Sequence, residues 1–173
     1  MAISERITDH RALACSACVF LLLASVAACT YQPGTLLTKY PETSETVGCI
    51  DIAAEALDDK KAEGPAAKIF VANRCHAPVV VDYQTIFATV RYTDGHEGVV
   101  RIYDPNNTLK PVTLDALSRG WEAFEFHPDD PADDELVPEQ LCLDVSLIDR
   151  KEPSTDARQI CVATGSDLTE EQI

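Results

Sequence analysis

The longest apolar run in the chain covers residues 12–28, seventeen uncharged and mostly hydrophobic positions, and it ends at the polar stretch Thr30-Tyr31-Gln32-Pro33. A membrane-spanning helix needs about 20 apolar residues, whereas the core of a secretory leader needs about 7 to 15, with small residues at the cut. The run therefore predicts a leader, even though Glu5 and Asp9 offset Arg6 and Arg11 ahead of it. Beyond it, no segment sustains a helical stripe for more than about two turns. Short β-rich runs recur instead, at 49–57, 68–75, 79–92, 98–103, 121–127, 140–148 and 158–163. Turn-forming stretches such as Thr93-Asp94-Gly95 and Asp104-Pro105-Asn106-Asn107 separate them. Seven strands and an all-β fold are expected, with one short helix near residues 113–119 as a variant. Pro111 and the Val112-Thr113 pair keep such a helix short.

The end of the leader carries more than its hydropathy. Val26-Ala27-Ala28-Cys29 resembles the lipobox of bacterial lipoproteins: a branched apolar residue, two small residues, then cysteine. The resemblance implies cleavage before Cys29, a diacylglyceryl group on its thiol and acylation of the new amino terminus. Each buried methylene of those chains contributes about 0.8 kcal/mol, so a soluble domain is held on a membrane without a spanning helix. Thr30 after the cysteine implies, by the family's sorting rule, the outer membrane. Residues 29–47 hold two prolines and a glycine with no sustained period, and they are expected to be a tether that stands the domain off the membrane, reaching about 23 Å as a coil. The domain is expected at 48–164, followed by an acidic tail at 165–173. Seven strands in such a domain resemble an immunoglobulin-like sandwich, although no Trp occupies the third strand.

Composition narrows the partners. Fourteen Lys and Arg against 29 Asp and Glu give a net charge of −15. The leader removes Arg6 and Arg11 together with Glu5 and Asp9, so the exported part keeps that charge. Lys and Arg cluster nowhere beyond pairs, and a chain this acidic is repelled by phosphodiester backbones. Nucleic acid is not expected as a partner; membrane lipid through Cys29 is, together with an envelope protein or glycan.

Seven cysteines are present. Cys15 and Cys18 belong to the leader and Cys29 to the anchor, which leaves Cys49, Cys75, Cys142 and Cys161. An even number in an exported domain suggests two disulfides, with three possible connectivities. A hairpin of the first two runs centred near residue 62 sets Cys49 opposite Cys75, and one centred inside 150–153 sets Cys142 opposite Cys161. The alternation of Leu141, Leu143 and Val145 with Cys142 and Asp144, and of Ile160 and Val162 with Cys161, puts the second pair on one polar face. That pairing is favoured over a zinc or redox site, since the exported part has no C-x-x-C.

Catalytic signals are sparse. His76, His96 and His127 form no H-E-x-x-H or other helical ligand pair, and G-x-S-x-G, P-loop and dinucleotide fingerprints are absent. The acidic loop 129–135 carries five carboxylates but not the order of an EF-hand. Trp121, Phe124 and Phe126 are expected in the core. The chain is thus expected to be a non-enzymatic envelope lipoprotein without cofactors, presenting a binding or structural β-domain. The loops 93–97 and 128–135 are its candidate contacts. The competing expectation is a metal-dependent or hydrolytic envelope enzyme using His96 or His127 with the acidic loop 129–135.

Overall fold

The computed structural model describes residues 30–57, 64–149 and 157–164. The leader, Cys29 and the tail at 165–173 lie outside the described residues. Among those described, one short helix, α1 (Thr35–Lys39), precedes ten strands. They are β1 (Ser44–Val47), β2 (Ile50–Leu57), β3 (Ala66–Asn73), β4 (Val79–Val81), β5 (Phe87–Tyr92), β6 (Glu97–Ile102), β7 (Val112–Leu114), β8 (Arg119–Pro128), β9 (Pro138–Asp144) and β10 (Gln159–Ala163).

Eight strands run in the order β1-β2-β3-β8-β6-β5-β9-β10, every neighbouring pair antiparallel. The ten-residue β8 makes the sheet turn back on itself. Its Arg119 to Glu125 pair with β3, while Phe126 to Pro128 pair with β6. β10 lies against β1 and β2, so the sandwich comes close to a barrel. The small β4–β7 ladder is tied to the rest by a bridge from Val81 to Asp149. Ile52, Ile69, Val71, Phe126, Leu141, Leu143 and Ile160 fill the interior and are at most 1% exposed. Each such side chain stabilises the fold by about 1.5–3 kcal/mol relative to exposure.

Three expectations need correction. The sandwich has ten strands rather than seven, because the run 79–92 breaks at a 3₁₀ turn over Tyr83–Thr85 and because β1 and β7 are short additions. Only the sandwich itself carries over from the immunoglobulin-like expectation. The stretch 113–119 is not helical: Val112–Leu114 is β7, and Leu117 then turns with a φ of 53°. Finally, residues 30–47 are not a free tether. They fold across the outer face of the sheet, with Tyr31 and Leu36 buried against Ala72 and flanked by Tyr40 and Phe70.

Candidate functional site

The outer face of β1, β2, β3 and β8 is organised by one carboxylate. Asp51 is fully buried on β2, beneath the N-terminal segment. Its Oδ2 accepts from the Tyr31 hydroxyl at 2.7 Å and from the Gly34 amide at 2.9 Å; its Oδ1 accepts from the Thr46 hydroxyl at 2.8 Å and faces Arg74 Nη1 at 3.6 Å. A buried carboxylate persists when donors surround it. Gly34 reaches its place with a φ of 85°, open to a residue without a side chain. Burial, and then the bond to Asp51, push the Tyr31 hydroxyl up to about 12. The Tyr31 amide donates to the Leu117 carbonyl at 2.6 Å, which fixes the first described residues to the start of β8.

Beside this lock runs a strip of rings and cations. Phe70 on β3 sits opposite Trp121 on β8, so both rings stand on one face. Tyr40 stacks on Phe70 with centroids 5.0 Å apart. The Lys39 ammonium lies 4.8 Å from the Tyr40 centroid, and that of Lys68 lies 3.8 Å from Trp121 and 5.2 Å from Phe70. Arg119 pairs with Ala72 on this same face, and Arg74 reaches Asp51 from it. Trp121, expected in the core, is 60% exposed, whereas Phe124 and Phe126 are buried as expected. Strand alternation would have separated the two cases, since Trp121 shares its face of β8 with Arg119, Ala123 and Glu125, and Phe124 and Phe126 occupy the other.

The two loops singled out from the sequence meet at one end of the sandwich. The Thr93 amide donates to the Val137 carbonyl at 3.0 Å, and His96 Nε2 lies 3.3 Å from Asp133 Oδ1. Tyr92 stacks near His96 with centroids 5.8 Å apart, and burial followed by the charges of Asp133 and Asp134 raises its hydroxyl to about 12. His127 goes elsewhere: its Nε2 is 3.1 Å from Glu125 Oε1, and its ring stacks on Tyr103 at 4.0 Å. His76 is exposed in the turn after Cys75. The acidic loop thus gathers one histidine rather than two, and among the described residues no group of three or more His, Cys, Asp and Glu could hold a metal ion. A cleft of about 630 Å³ opens between the 3₁₀ turn at Tyr83–Thr85 and Asp104, Asn107 and Leu109. Its carboxylate, Asp104, is held below the usual range by the amides of Thr108 and Leu109.

Cys49 and Cys75 form one disulfide and Cys142 and Cys161 the other, with Cα atoms 5.4 Å and 4.0 Å apart. Cys142 and Cys161 are direct partners in the β9–β10 ladder. Cys49 and Cys75 join just beyond the end of the β2–β3 ladder, where the Arg74 amide donates to the Cys49 carbonyl at 2.9 Å. Cys29, the candidate lipid site, lies outside the described residues.

No protein-family model matches the sequence, and no curated protein does. Among solved structures, the chain is similar to the yjhA protein from Bacillus subtilis. That similarity has a TM-score of 0.44 and 10% identity, and it covers 70% of this chain and 96% of that one.

Proposed function

We propose that this chain is a bacterial envelope lipoprotein whose signal peptide, residues 1–28, is removed and whose Cys29 carries a diacylglyceryl group and an amide-linked acyl chain such as palmitate. The acyl chains hold it on a membrane, by the sorting rule the outer one. The folded part is a non-enzymatic binding or structural module without cofactors. The observation that carries this is the lipobox-like sequence Val26-Ala27-Ala28-Cys29, two residues ahead of Tyr31, which packs onto the disulfide-bearing β-domain. Two disulfides fit an exported protein, since reducing compartments keep such cysteines as thiols. An envelope protein or glycan would meet the loop end built from residues 93–97 and 128–135, where His96 and Asp133 already join the two loops.

Intact mass of the membrane-extracted protein tests this, before and after alkylation with and without reductant. The expected result is residues 29–173 plus acyl chains, with four thiols, those of Cys49, Cys75, Cys142 and Cys161, released only on reduction. A mass without lipid, or those four thiols free at the outset, overturns the assignment.

A further inference from the structure

We propose that the outer face of β1, β2, β3 and β8 docks flat on an anionic phospholipid bilayer, with Trp121, Phe70 and Tyr40 at headgroup depth and Lys39, Lys68, Arg74 and Arg119 against lipid phosphates. This rests on lipidation of Cys29.

The position of the anchor is the first support. Cys29 is two residues from Tyr31, which is buried and tied to the Leu117 carbonyl. Two peptide units span about 7 Å at most, so the acylated residue cannot leave the margin of this face. Trp121 lies four residues after Leu117, about 13 Å along an extended strand. Acyl chains entering a bilayer at that margin bring the strip to its surface.

The chemistry of the face is the second. Of eight Lys and Arg among the described residues, four stand here, in a chain of net charge −15. Among the described residues, the carboxylates on this face include Asp51, buried among its donors, Glu55, opposite Lys68, Glu125, beside His127, and exposed Glu42 in the turn between α1 and β1. Basic side chains are drawn to anionic headgroups, and Trp and Tyr settle at the boundary between water and hydrocarbon. The loop end behaves oppositely: Asp94, Glu97, Asp129, Asp130, Asp134 and Glu135 are exposed there and repel an anionic surface. One orientation is left. A sugar is a poorer occupant of the strip, because stacking needs an open ring face and the Lys68 ammonium sits 3.8 Å over Trp121.

Trp121 is the only tryptophan in the chain and therefore reports on its own burial. The lipid-bearing protein is reconstituted into vesicles of phosphatidylcholine with or without phosphatidylglycerol. Flotation reads the anchor; Trp121 emission, with acrylamide in the water or brominated acyl chains in the bilayer, reads the face. In anionic vesicles Trp121 is expected to shift to shorter wavelength, lose acrylamide quenching and gain bromolipid quenching. Lys39→Gln and Arg119→Gln, which leave the Lys68 ammonium over the Trp121 ring in place, are each expected to lower the docked-to-undocked ratio about fivefold while flotation is unchanged. Protein that floats while Trp121 stays as open to acrylamide as in detergent overturns the docked face and leaves the anchor standing. Shielding that appears only on adding cell-wall glycan, or only with a partner protein, also overturns it. Protein that carries no lipid and does not float overturns the anchor, and the docked face with it.

Discussion

Replacing Asp51 should release the N-terminal segment before it unfolds the domain. Among the described residues, this carboxylate is met by donors: the Tyr31 hydroxyl, the Gly34 amide, the Thr46 hydroxyl and, farther off, Arg74. Hydrogen bonds to a charged group are each worth about 1.5–3 kcal/mol. Their sum overstates the loss, because once residues 30–47 detach, the freed donors regain water, and the cost is capped by the docking energy of that segment. Asp51→Ala is therefore expected to cost about 3 kcal/mol. Asp51→Asn is expected to cost less, about 1–2 kcal/mol, because its carbonyl can still take Tyr31 and Gly34 while the Thr46 hydroxyl reverses to accept from its amide. Urea unfolding supplies the two values, and hydrogen exchange locates them: the amides of Thr38 and Tyr40, bonded within the segment, lose protection while those of β5 and β9 keep theirs. An Ala variant within about 0.5 kcal/mol of the parent, the size of an ordinary surface change, would refute the lock. So would an Asn variant more damaging than Ala.

Three further outcomes follow from the packing. Tyr31 and Tyr92 ionise near 12, and burial raises Tyr83 further still; an unfolded chain ionises near 10. The neutral forms favour the folded state, so their stabilisation is complete below pH 10 and is lost as pH rises towards 12. Absorbance at 295 nm should therefore show three of the five tyrosines still neutral past pH 11, and all five titrating together near 10 would contradict it. Gly98→Ala places a methyl group 2.5 Å from Asp133 Oδ2 and 3.1 Å from Tyr92, and overpacking of this kind costs about 1–3 kcal/mol. A thermal midpoint equal to the parent's would count against the tight join of the two loops. Removing either disulfide as a paired Cys→Ala variant, 49 with 75 or 142 with 161, should cost about 3 kcal/mol in urea unfolding, since the closed loops are of similar length. A loss in only one pair would mean that the other closes no loop in the unfolded chain.

How much of this was legible in the sequence depended on which faces meet water. In β9 and β10, Leu141, Leu143, Ile160 and Val162 point inward and Cys142 and Cys161 outward, so alternation alone set the register that joins them. β2 and β3 lack that contrast. Their outer face lies under the N-terminal segment, which is why Asp51 is buried and why Phe70 interrupts the pattern around Ile69 and Val71. A strand covered on both sides loses its period of two. The hairpin estimate was accordingly one residue off: Ile50 faces Asn73, which sets Cys49 level with Arg74 rather than Cys75. The segment 30–47 read as a tether because its packing residues are sparse: Leu36 falls on a one-turn helix and Val47 on a four-residue strand, while Tyr31 and Tyr40 lie outside both. The basic face left no trace at all. Lys39, Lys68, Arg74 and Arg119 are scattered along the chain and are collected only by the pairing of β3 with β8 and the fold-back of α1.

Folding that segment changes what a modest surface can accomplish. As a coil, 18 residues would let the domain wander about 23 Å from its anchor in any orientation. If Cys29 carries the proposed acyl chains, a leash of two residues allows about 7 Å and would hold one edge of β8 near the membrane, so the acyl chains would supply the localisation and the face would only have to select an orientation. A contact worth about 1 kcal/mol per basic residue is weak for capturing a free protein, yet it is sufficient to bias a tethered one whose effective concentration at the surface is high. The Asp51 lock is then the point at which the fold and the proposed docking are coupled: with it intact the N-terminal segment lies on the sheet face, and without it the domain becomes the free-swinging module that the sequence pattern alone suggests.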